Sequence, residues 1–319
     1  MKKIESNKIN LQGNELKYIK EAISSNRISG DGEFTKKCNQ FIENSLQVKK
    51  SMLTTSCTHA LEMSALLLDI KPGDEVILSP FTFVSTANAF ILRGASPVFV
   101  DIRPDTLNID EQKIENAITN KTKAIIVVHY AGVACEMKKI MKLADKYDLD
   151  IVEDNAHGIF GKYRDTYLGT FGTFATLSFH ETKNFTCGEG GALIINNPKY
   201  IERAEIIREK GTNRSKFLRG EIDKYFWVDI GSSYLPSEIL AAYLYSQFEQ
   251  KEKIQSKRQK IWNFYNKNLK DWADINFLQL PSIPKHCQQT YHIFYIIMGS
   301  NKSRNDLMQH LKGKGIPAS

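Results

Sequence analysis

Short apolar runs alternate with helical patterns between about residues 50 and 195, and this alternation is the strongest structural signal in the chain. Several runs are apolar throughout and rich in Val, Ile and Leu, which is typical of strands buried on both faces. Stretches such as "EMKKIMKLADKYD" separate them with a helical spacing of apolar residues. This pattern predicts a mostly parallel central sheet with helices on both faces. The predicted strands cover residues 75–80, 96–102, 123–130, 149–156, 174–180 and 191–197.

Helical periodicity also marks the segments on either side of this block. "NELKYIKEAISSNRISG" predicts an amphipathic helix that ends at a glycine, and "PSEILAAYLYSQFEQKEKIQSKRQKIWNFYNKNL" predicts one long helix. "NFLQLPSIP" and "YHIFYIIMG" predict strands, and "SRNDLMQHLKGKGIPAS" predicts a helix that runs into a further strand. We therefore expect a large domain over residues 1–245 and a smaller α+β domain over residues 246–319.

The composition is that of an ordinary globular protein: of 319 residues, 42% are hydrophobic and 25% are charged. No apolar run approaches the roughly 18 residues of a membrane span, and the basic N-terminus lacks the apolar core of a secretory signal. The five cysteines and seven histidines are scattered without metal-ligand spacing. We therefore expect a cytoplasmic protein with reduced thiols, no metal site and no membrane partner.

The net charge of +7 lies entirely in the last part of the chain. Residues 1–200 contain 24 Lys+Arg and 24 Asp+Glu, whereas residues 201–319 contain 19 and 12. Such an excess suits an anionic ligand such as a diphosphate, a nucleic acid, or solvated helix faces alone. Because the first 200 residues carry no excess, we do not expect a nucleic-acid partner.

Polar and aromatic residues cluster just after four of the predicted strands. In an open α/β sheet, ligands bind beyond the carboxyl ends of the strands. One such residue alone is often a helix N-cap, but four strands that end in this way favour a binding site. The residues are Ser79 to Phe83, His129 and Tyr130, Glu153 and Asp154 with His157 beyond them, and Ser178, His180 and Lys183.

The segment "TTSCTHALEMSALLL" (54–68) places small polar residues before an apolar helix. These residues are either ordinary helix caps or, with free backbone amides, a site for a phosphate group. A phosphate site, a lysine, an acid at a strand end and an aromatic plane together suit pyridoxal phosphate. In a desolvated site Lys183 would have a lowered pKa and would act as a nucleophile and proton carrier.

Long stretches across essentially the whole chain carry a family resemblance, among them "ISGDGEFTKKC", "TFVSTANAFILRGASPVFVDIRPDTLNID", "SFHETKN", "GEGGALIIN" and "IIREKGTNRS". On these stretches the chain resembles the DegT–DnrJ–StrS family of sugar aminotransferases. The resemblance implies the aspartate aminotransferase-like α/β fold, fold type I of the enzymes that use pyridoxal 5'-phosphate. It also implies a homodimer with shared active sites.

The resemblance assigns roles to individual residues. Lys183 matches the lysine that binds the cofactor covalently and moves a proton during the reaction. Asp154 matches the aspartate that pairs with the pyridine nitrogen, and Phe83 matches the aromatic residue that stacks on the ring. The phosphate-binding positions match Ser178, through its hydroxyl, and Cys57 and Thr58, through their backbone amides.

The chain departs from the family pattern at three places. His157 stands where many relatives have Gln, so it either contacts the ring hydroxyl of the cofactor or is a polar packing residue. In "GSSYLPS" (231–237), Ser233 replaces an asparagine that reaches the phosphate bound by the partner subunit, and Leu235 replaces an arginine. Relatives also continue for several dozen residues beyond "GKGIPAS", so we expect an incomplete small domain.

For the reaction, the resemblance implies transfer of an amino group from L-glutamate to C4 of a nucleotide-linked 4-keto-6-deoxyhexose, for cell-surface polysaccharide such as lipopolysaccharide. The loop 231–237 resembles that of the subgroup that acts on dTDP-linked sugars. Amination at C3 and a non-catalytic remnant remain alternatives, whereas Lys183 argues against a related dehydratase that has histidine there. Arg214, Arg219 and Lys224 are candidates for the substrate diphosphate, or else part of a solvated basic loop.

Overall fold

The structure, a computed structural model, describes residues 4–5, 7–8, 11 and 13–318. The strands are β1 (Lys50–Thr54), β2 (Glu75–Leu78), β3 (Ser96–Phe99), β4 (Thr122–Val128), β5 (Asp150–Asp154), β6 (Lys162–Tyr163), β7 (Thr166–Tyr167), β8 (Phe174–Ser178), β9 (Gly191–Ile195) and β10 (Cys287–Gln288). The α-helices are α1 (Glu15–Ser24), α2 (Glu33–Leu46), α3 (Cys57–Leu67), α4 (Val84–Ile91), α5 (Glu111–Ile114), α6 (Met137–Tyr147), α7 (Ile201–Arg208), α8 (Arg214–Leu218), α9 (Glu238–Glu249), α10 (Lys251–Ile275) and α11 (Asn301–Gly313).

A seven-stranded sheet in the order β1-β9-β8-β5-β4-β2-β3 forms the centre of the molecule. From β8 to β3 all neighbouring strands pair in parallel. Strand β9 pairs antiparallel with both β1 and β8 and is the one strand of this sheet that runs in the opposite direction. All six predicted strands are therefore present, and the sheet is mostly parallel as expected. The sequence pattern missed β1, which completes one edge of the sheet.

Successive residues of the central strands pack on opposite faces of the sheet, as the alternation of a β-strand requires. Val76 and Leu78 of β2 belong to the core beneath α3, α4 and α7, whereas Ile77 faces the core beneath α5 and α6. A third cluster packs the inner residues of β8 and β9 against α1, α2 and α9. Because both faces are covered, the strands read as continuous apolar runs in the sequence.

Two predicted helices have different limits in the structure. The first does not end at a glycine: α1 ends at Ser24, where the Ser25 hydroxyl donates to the carbonyl of Ala22 and Asn26 turns to a φ of 57°. The predicted long helix is two helices, α9 and α10, because the backbone at Gln250 leaves helical geometry with φ −99° and ψ 18°. Helix α9 packs in the core cluster with α1 and α2, whereas α10 buries only Ile254, Trp262 and Ala273.

The strands predicted after residue 276 do not form as predicted. Only one bridge, between Gln279 and Ile297, joins the two segments. Pro281 and Pro284 lack the amide hydrogen that a strand ladder needs, which explains the lost pairing. The short β10 instead pairs with β6 in a three-stranded sheet. After α11, residues 314–318 form a turn and irregular backbone and not the expected strand.

A buried carboxylate joins α9 to the start of α2. Glu238 is 2% exposed and accepts hydrogen bonds from the backbone amides of Gly32 at 2.9 Å, Phe34 at 2.8 Å and Thr35 at 3.1 Å. The Thr35 hydroxyl also donates to it. These amides are the ones that the first turn of a helix leaves without intrahelical acceptors, so Glu238 closes α2 in place of a side-chain cap from its own segment.

Glu238→Gln should lower the free energy of unfolding by about 3 kcal/mol, because the new amide group would face backbone donors in a buried site. Urea denaturation of the apoprotein measures this change. Glu33→Gln is the matched control, since Glu33 is an exposed carboxylate on the same helix that pairs with Lys37. Equal midpoints for the two variants would contradict the role given to Glu238.

Candidate active site

A cavity of about 720 Å³ opens at the carboxyl ends of β2, β4, β5 and β8, where the first turns of α3 and α4 also meet. This is the edge of an open parallel sheet where ligands bind. Most of the residues that the sequence singled out line this one cavity. They are Cys57, Thr58, Phe83, Asp154, His157, Ser178 and Lys183.

The two adjacent carboxylates at the end of β5 point to different environments. Asp154 lines the cavity, where the Thr86 hydroxyl donates to Oδ2 at 2.7 Å and the Ala156 amide donates to Oδ1 at 3.2 Å. Glu153 is fully buried away from the cavity. Only Asp154 is therefore available to a ligand, although the sequence placed both carboxylates at the site.

Glu153 belongs to a structural network that also removes His129 from the site. Its oxygens accept hydrogen bonds from the amides of Gly169, Phe171 and Gly172 at 2.7–2.8 Å and from His129 Nε2 at 2.9 Å. His129 Nδ1 accepts from the Cys135 amide, so the ring carries its proton on Nε2. All four acceptor positions of the carboxylate are used.

The first turn of α3 points free backbone amides toward the cavity. Ser56 is the N-cap, and its hydroxyl accepts from the amide of His59 at 3.1 Å. The amides of Cys57 and Thr58, the first two residues of the helix, have no intrahelical acceptor. Gly191 allows this turn to lie against β9, because a Cβ there would collide with the backbone of Ser56 and Cys57. The turn is a suitable site for a phosphate group.

Lys183 lies on the turn between β8 and β9, and it is half-buried at the cavity. Its own amide donates to the carbonyl of His180 at 2.9 Å, which fixes the turn. Burial lowers the pKa of the Lys183 amine, and the Asp154 carboxylate opposes that shift. Burial raises the pKa of the Cys57 thiol, so the thiol is neutral and does not add to the effect of Asp154.

His157 is held as a neutral ring beside the cavity. Its Nδ1 accepts from the amide of Ala131 at 3.3 Å, so Nε2 carries the proton. Burial, with a smaller effect of Lys183, lowers the pKa of His157 to about 3. His157 is therefore a hydrogen-bond donor through Nε2 at neutral pH.

Phe83 has the exposure expected of a stacking residue. It precedes the first residue of α4 and lines the cavity, and its side chain is 75% exposed. Ser178, at the end of β8, brings a buried hydroxyl to the same cavity. Both residues are placed where a planar ring and a phosphate could meet them.

Four further predicted residues, besides Glu153 and His129, lie outside the cavity of their own chain. Ser233 is exposed and bridges to Glu209 through the backbone. Arg214 pairs with Glu209 at 3.2 Å, and Arg219 pairs with Glu205 at 2.8 Å and with Glu221 at 2.6 Å. Lys224 lies over the ring of Phe226, 5.6 Å from its centre. One chain alone does not bring these residues to Lys183.

The sequence pattern did not single out Thr86, His292 or Arg258, which contact the predicted site residues. Thr86 holds Asp154 from α4, and Thr82 in turn bonds to the Thr86 hydroxyl at 2.7 Å. The ring of His292 packs against that of His157 with the planes inclined by 33°, and Arg258 Nη2 donates to the carbonyl of Lys183 at 3.4 Å. No sequence signal marks His292 or Arg258, which are distant in the chain, whereas the polar run "TFVST" did contain Thr86.

The residues that line the cavity fit pyridoxal phosphate. An amine with a lowered pKa and a carboxylate held by two hydrogen bonds lie at one cavity, as the aldehyde and the ring nitrogen of the cofactor require. The free amides of α3 and the Ser178 hydroxyl suit the phosphate. The neutral His157 adds a donor for the ring oxygen.

Comparison with known proteins places the chain in one family. The model of the DegT/DnrJ/EryC1/StrS aminotransferase family matches residues 10–319. GDP-perosamine synthase of Escherichia coli O157:H7 is 33% identical over 308 residues, which cover 96% of this chain and 81% of that protein.

Solved structures agree with this result. The sugar aminotransferase Spr1654 of Streptococcus pneumoniae, in its PMP form, matches with a TM-score of 0.91 at 26% identity over 99% of this chain and 83% of that one. The same protein has been solved in a PLP form. PseC of Helicobacter pylori, an aminotransferase of pseudoaminic acid biosynthesis, matches with a TM-score of 0.86 at 26% identity over 98% and 83%. The predicted fold type is thereby confirmed.

Neither a membrane span nor a metal-binding cluster occurs in the part of the chain that the structure describes. No helix there is long and apolar enough to cross a membrane. In that same part of the chain, no group of three or more His, Cys, Asp or Glu side chains is arranged to hold a metal ion.

Asp154→Asn should lower the pKa of the Lys183 amine further, because the substitution removes the negative charge that favours the ammonium form. NMR titration of the reductively methylated apoprotein measures this pKa, with Lys183→Arg to assign the signal. Glu189→Gln is the control, since Glu189 lines the same cavity but pairs with His180. An unchanged or higher pKa in Asp154→Asn would refute the coupling.

Proposed function

The chain belongs to the DegT/DnrJ/EryC1/StrS family of aminotransferases, which are enzymes dependent on pyridoxal phosphate, and on this premise we propose its substrates and the roles of its residues. The donor is L-glutamate, and the acceptor is a 4-keto-6-deoxyhexose linked to a nucleoside diphosphate and aminated at C4. The observation that carries the proposal is that Lys183, Asp154 and the free amides of α3 share one cavity.

Lys183 and Asp154 have the central roles in this proposal. Lys183 Nζ would bind the cofactor covalently, and Asp154 would accept a hydrogen bond from its ring nitrogen. Thr86 and Ala156 use one acceptor position on each Asp154 oxygen, which fixes the carboxylate while leaving further lone pairs for the ring. When bound, pyridoxal phosphate carries the amino group between the two substrates and withdraws electrons from the reacting carbon.

The remaining cavity residues would orient the cofactor. The amides of Cys57 and Thr58 and the hydroxyl of Ser178 would bind its phosphate, where the positive end of the α3 dipole favours the negative charge. Phe83 would stack on the ring. His157 would donate from Nε2 to the ring oxygen, because Ala131 already occupies Nδ1.

Proton transfer would depend on the Lys183 amine. Because burial lowers its pKa, a larger fraction of the amine is neutral at physiological pH than in an exposed lysine. A neutral Nζ can accept the proton from the carbon that bears the amino group of glutamate and later return a proton to C4 of the sugar. The cavity walls limit the access of water to that atom.

The proposal gives two candidates for the nucleotide that carries the sugar substrate. The sequence resembles the subgroup that converts dTDP-4-dehydro-6-deoxy-D-glucose to dTDP-4-amino-4,6-dideoxy-D-galactose, so dTDP is our first candidate. The relative named GDP-perosamine synthase makes a GDP-linked amino sugar, which makes GDP the second. Two alternative hypotheses are that the enzyme aminates C3 of the sugar and that the chain is a non-catalytic remnant.

We also propose that two copies of the chain share their active sites. Phe226, Trp227 and Val228 form a run that is 57%, 79% and 51% exposed, an apolar surface that a second copy would cover. The same region holds Arg214, Arg219, Lys224 and Ser233, which do not reach the cavity of their own chain. Contact in a dimer would let these residues reach the phosphate or diphosphate at the partner's cavity.

A reducing, cytoplasmic location completes the proposal. All five cysteines are free thiols in the structure. Cys38, Cys135 and Cys187 are buried, where burial raises their pKa and keeps them protonated. Unpaired thiols of this kind are usual in proteins of a reducing compartment.

The purified chain, loaded with pyridoxal phosphate, should absorb visible light, and L-glutamate should shift this band toward the ultraviolet. In Lys183→Ala this band should be absent, because the amine that binds the cofactor covalently is lost. L-Glutamate should convert any cofactor that still binds about 10³-fold more slowly, because the proton carrier is lost as well. Lys210→Ala is the control, since Lys210 lies outside the cavity and pairs with Glu209 at 2.9 Å.

The same preparation, supplied with dTDP- or GDP-linked 4-keto-6-deoxyhexose, should release an amino sugar whose NMR spectrum places nitrogen at C4. Nitrogen at C3 would contradict the proposed position. A wild-type chain that binds no cofactor would support the alternative that the chain is a non-catalytic remnant.

Trp227→Ser should weaken dimerisation by tenfold or more, because a large exposed aromatic side chain of an interface commonly carries much of its binding energy. Sedimentation velocity over a range of concentrations measures the change. Phe277→Ser removes a residue that is 94% exposed elsewhere on the chain and should leave the dimer intact. A monomeric wild type at all concentrations would reject the shared site.

A further inference from the structure

The imidazole ring of His292 packs against that of His157 from the side of the smaller domain. The ring centres are 4.3 Å apart and the planes are inclined by 33°. His157 lines the 720 Å³ cavity, whereas His292 lies behind it in the segment after β10. A ligand in that cavity would meet His157 directly, whereas His292 would act on it through the residues that it contacts.

Hydrogen bonds fix the proton positions on both rings. The Asn184 amide nitrogen donates to the carbonyl of Thr290 at 2.8 Å and to Gln255 Oε1 at 3.3 Å, so Asn184 Oδ1 is an acceptor. His292 Nδ1 lies 2.8 Å from that oxygen and must therefore donate to it. His157 has the opposite tautomer, because its Nδ1 accepts from the Ala131 amide.

The backbone of His157 is tied to the same segment. The buried Thr290 hydroxyl donates to the carbonyl of His157 at 2.6 Å. This contact is so close that residue 132 has to be glycine: a Cβ on Gly132, which has a φ of +81°, would overlap the Thr290 hydroxyl. Residues 290–292 thus hold both the backbone and the ring of His157.

The surroundings favour two uncharged rings. Burial lowers the pKa of both histidines, and the cations that face them, Lys183 for both and Arg258 for His292, act in the same direction. The phenol of Tyr130 lies edge-on to His157 on its other side. Two imidazolium ions in this contact would repel each other, which disfavours protonation of both rings at once.

We propose that His292 is a positioning residue for His157. Its hydrogen bond to Asn184 fixes the His292 ring. The contact between the two rings then holds His157 with Nε2–H toward the cavity. The bond from Ala131 selects the tautomer of His157, but at 3.3 Å it is long and would not by itself hold the ring in place. The inference rests on the proposed function, in which that Nε2–H donates to the cofactor ring oxygen. Because Asn184 follows Lys183, the same bond also ties the lysine turn to His157.

The tautomer of His157 in the apoprotein is the first test. Two-dimensional ¹H–¹⁵N spectra of the imidazole rings should show one tautomer, protonated at Nε2, in the wild type. His292→Ala and His292→Phe should both give a mixture of tautomers, since neither keeps the donor to Asn184. The second variant preserves ring volume and remains informative if the first does not fold.

Gln255→Ala is the matched control, because it removes the weaker bond to Asn184 without touching His292. It should retain the single tautomer. A single Nε2 tautomer in both His292 variants, with native circular dichroism, would overturn the proposal.

The second test is a double-mutant cycle on the dissociation constant of pyridoxal phosphate. His157→Ala and His292→Ala should each weaken binding by about tenfold, and the double variant should be no weaker than either alone. Losses that multiply to about a hundredfold would show independent roles and refute the positioning. A wild type that binds no cofactor would reject the proposed function, while the tautomer measurement would still decide the role of His292.

Discussion

The cavity depends on how the carboxyl end of β5 is fixed, and the buried Glu153 carboxylate fixes it. Its hydrogen bonds join β5 to the loop of Gly169 to Gly172 and to His129 at the end of β4. An unpaired carboxylate at this depth would be strongly destabilising, so the three segments are held together. Because neighbouring strand residues face opposite ways, the same arrangement turns Asp154 toward the cavity.

One physical effect, removal from water, sets the chemistry of the groups around Asp154. It lowers the pKa of Lys183 and His157 and raises the pKa of Cys57, so it favours the neutral form of each. The amine becomes a better proton acceptor, the imidazole becomes a fixed donor, and the thiol is inert. Different functions therefore arise from a shared environment and from the hydrogen bonds that each group already makes.

The site is assembled from both parts of the chain. Asp154, Ser178 and the first turn of α3 belong to the central sheet and its helices, whereas Arg258 and His292 come from α10 and the segment beyond β10. These later residues contact the Lys183 turn and His157 but do not line the cavity. Ile293, next to His292, does line it. The segments after α9 thus contribute to the wall of the cavity and hold other site residues in place.

The sequence by itself determined the central sheet and most of the residues at the cavity. Apolar runs buried on both faces specify strands locally, and parallel strands bring their carboxyl ends to one edge, so Asp154, Ser178 and Lys183 could be grouped without coordinates. The sequence did not separate Glu153 from Asp154, and it placed a continuous helix across Gln250 and strands around Pro281 and Pro284. Only the tertiary structure decided these points, because helix breaks, buried hydrogen bonds and the stacking of His292 on His157 depend on contacts between residues far apart in the chain.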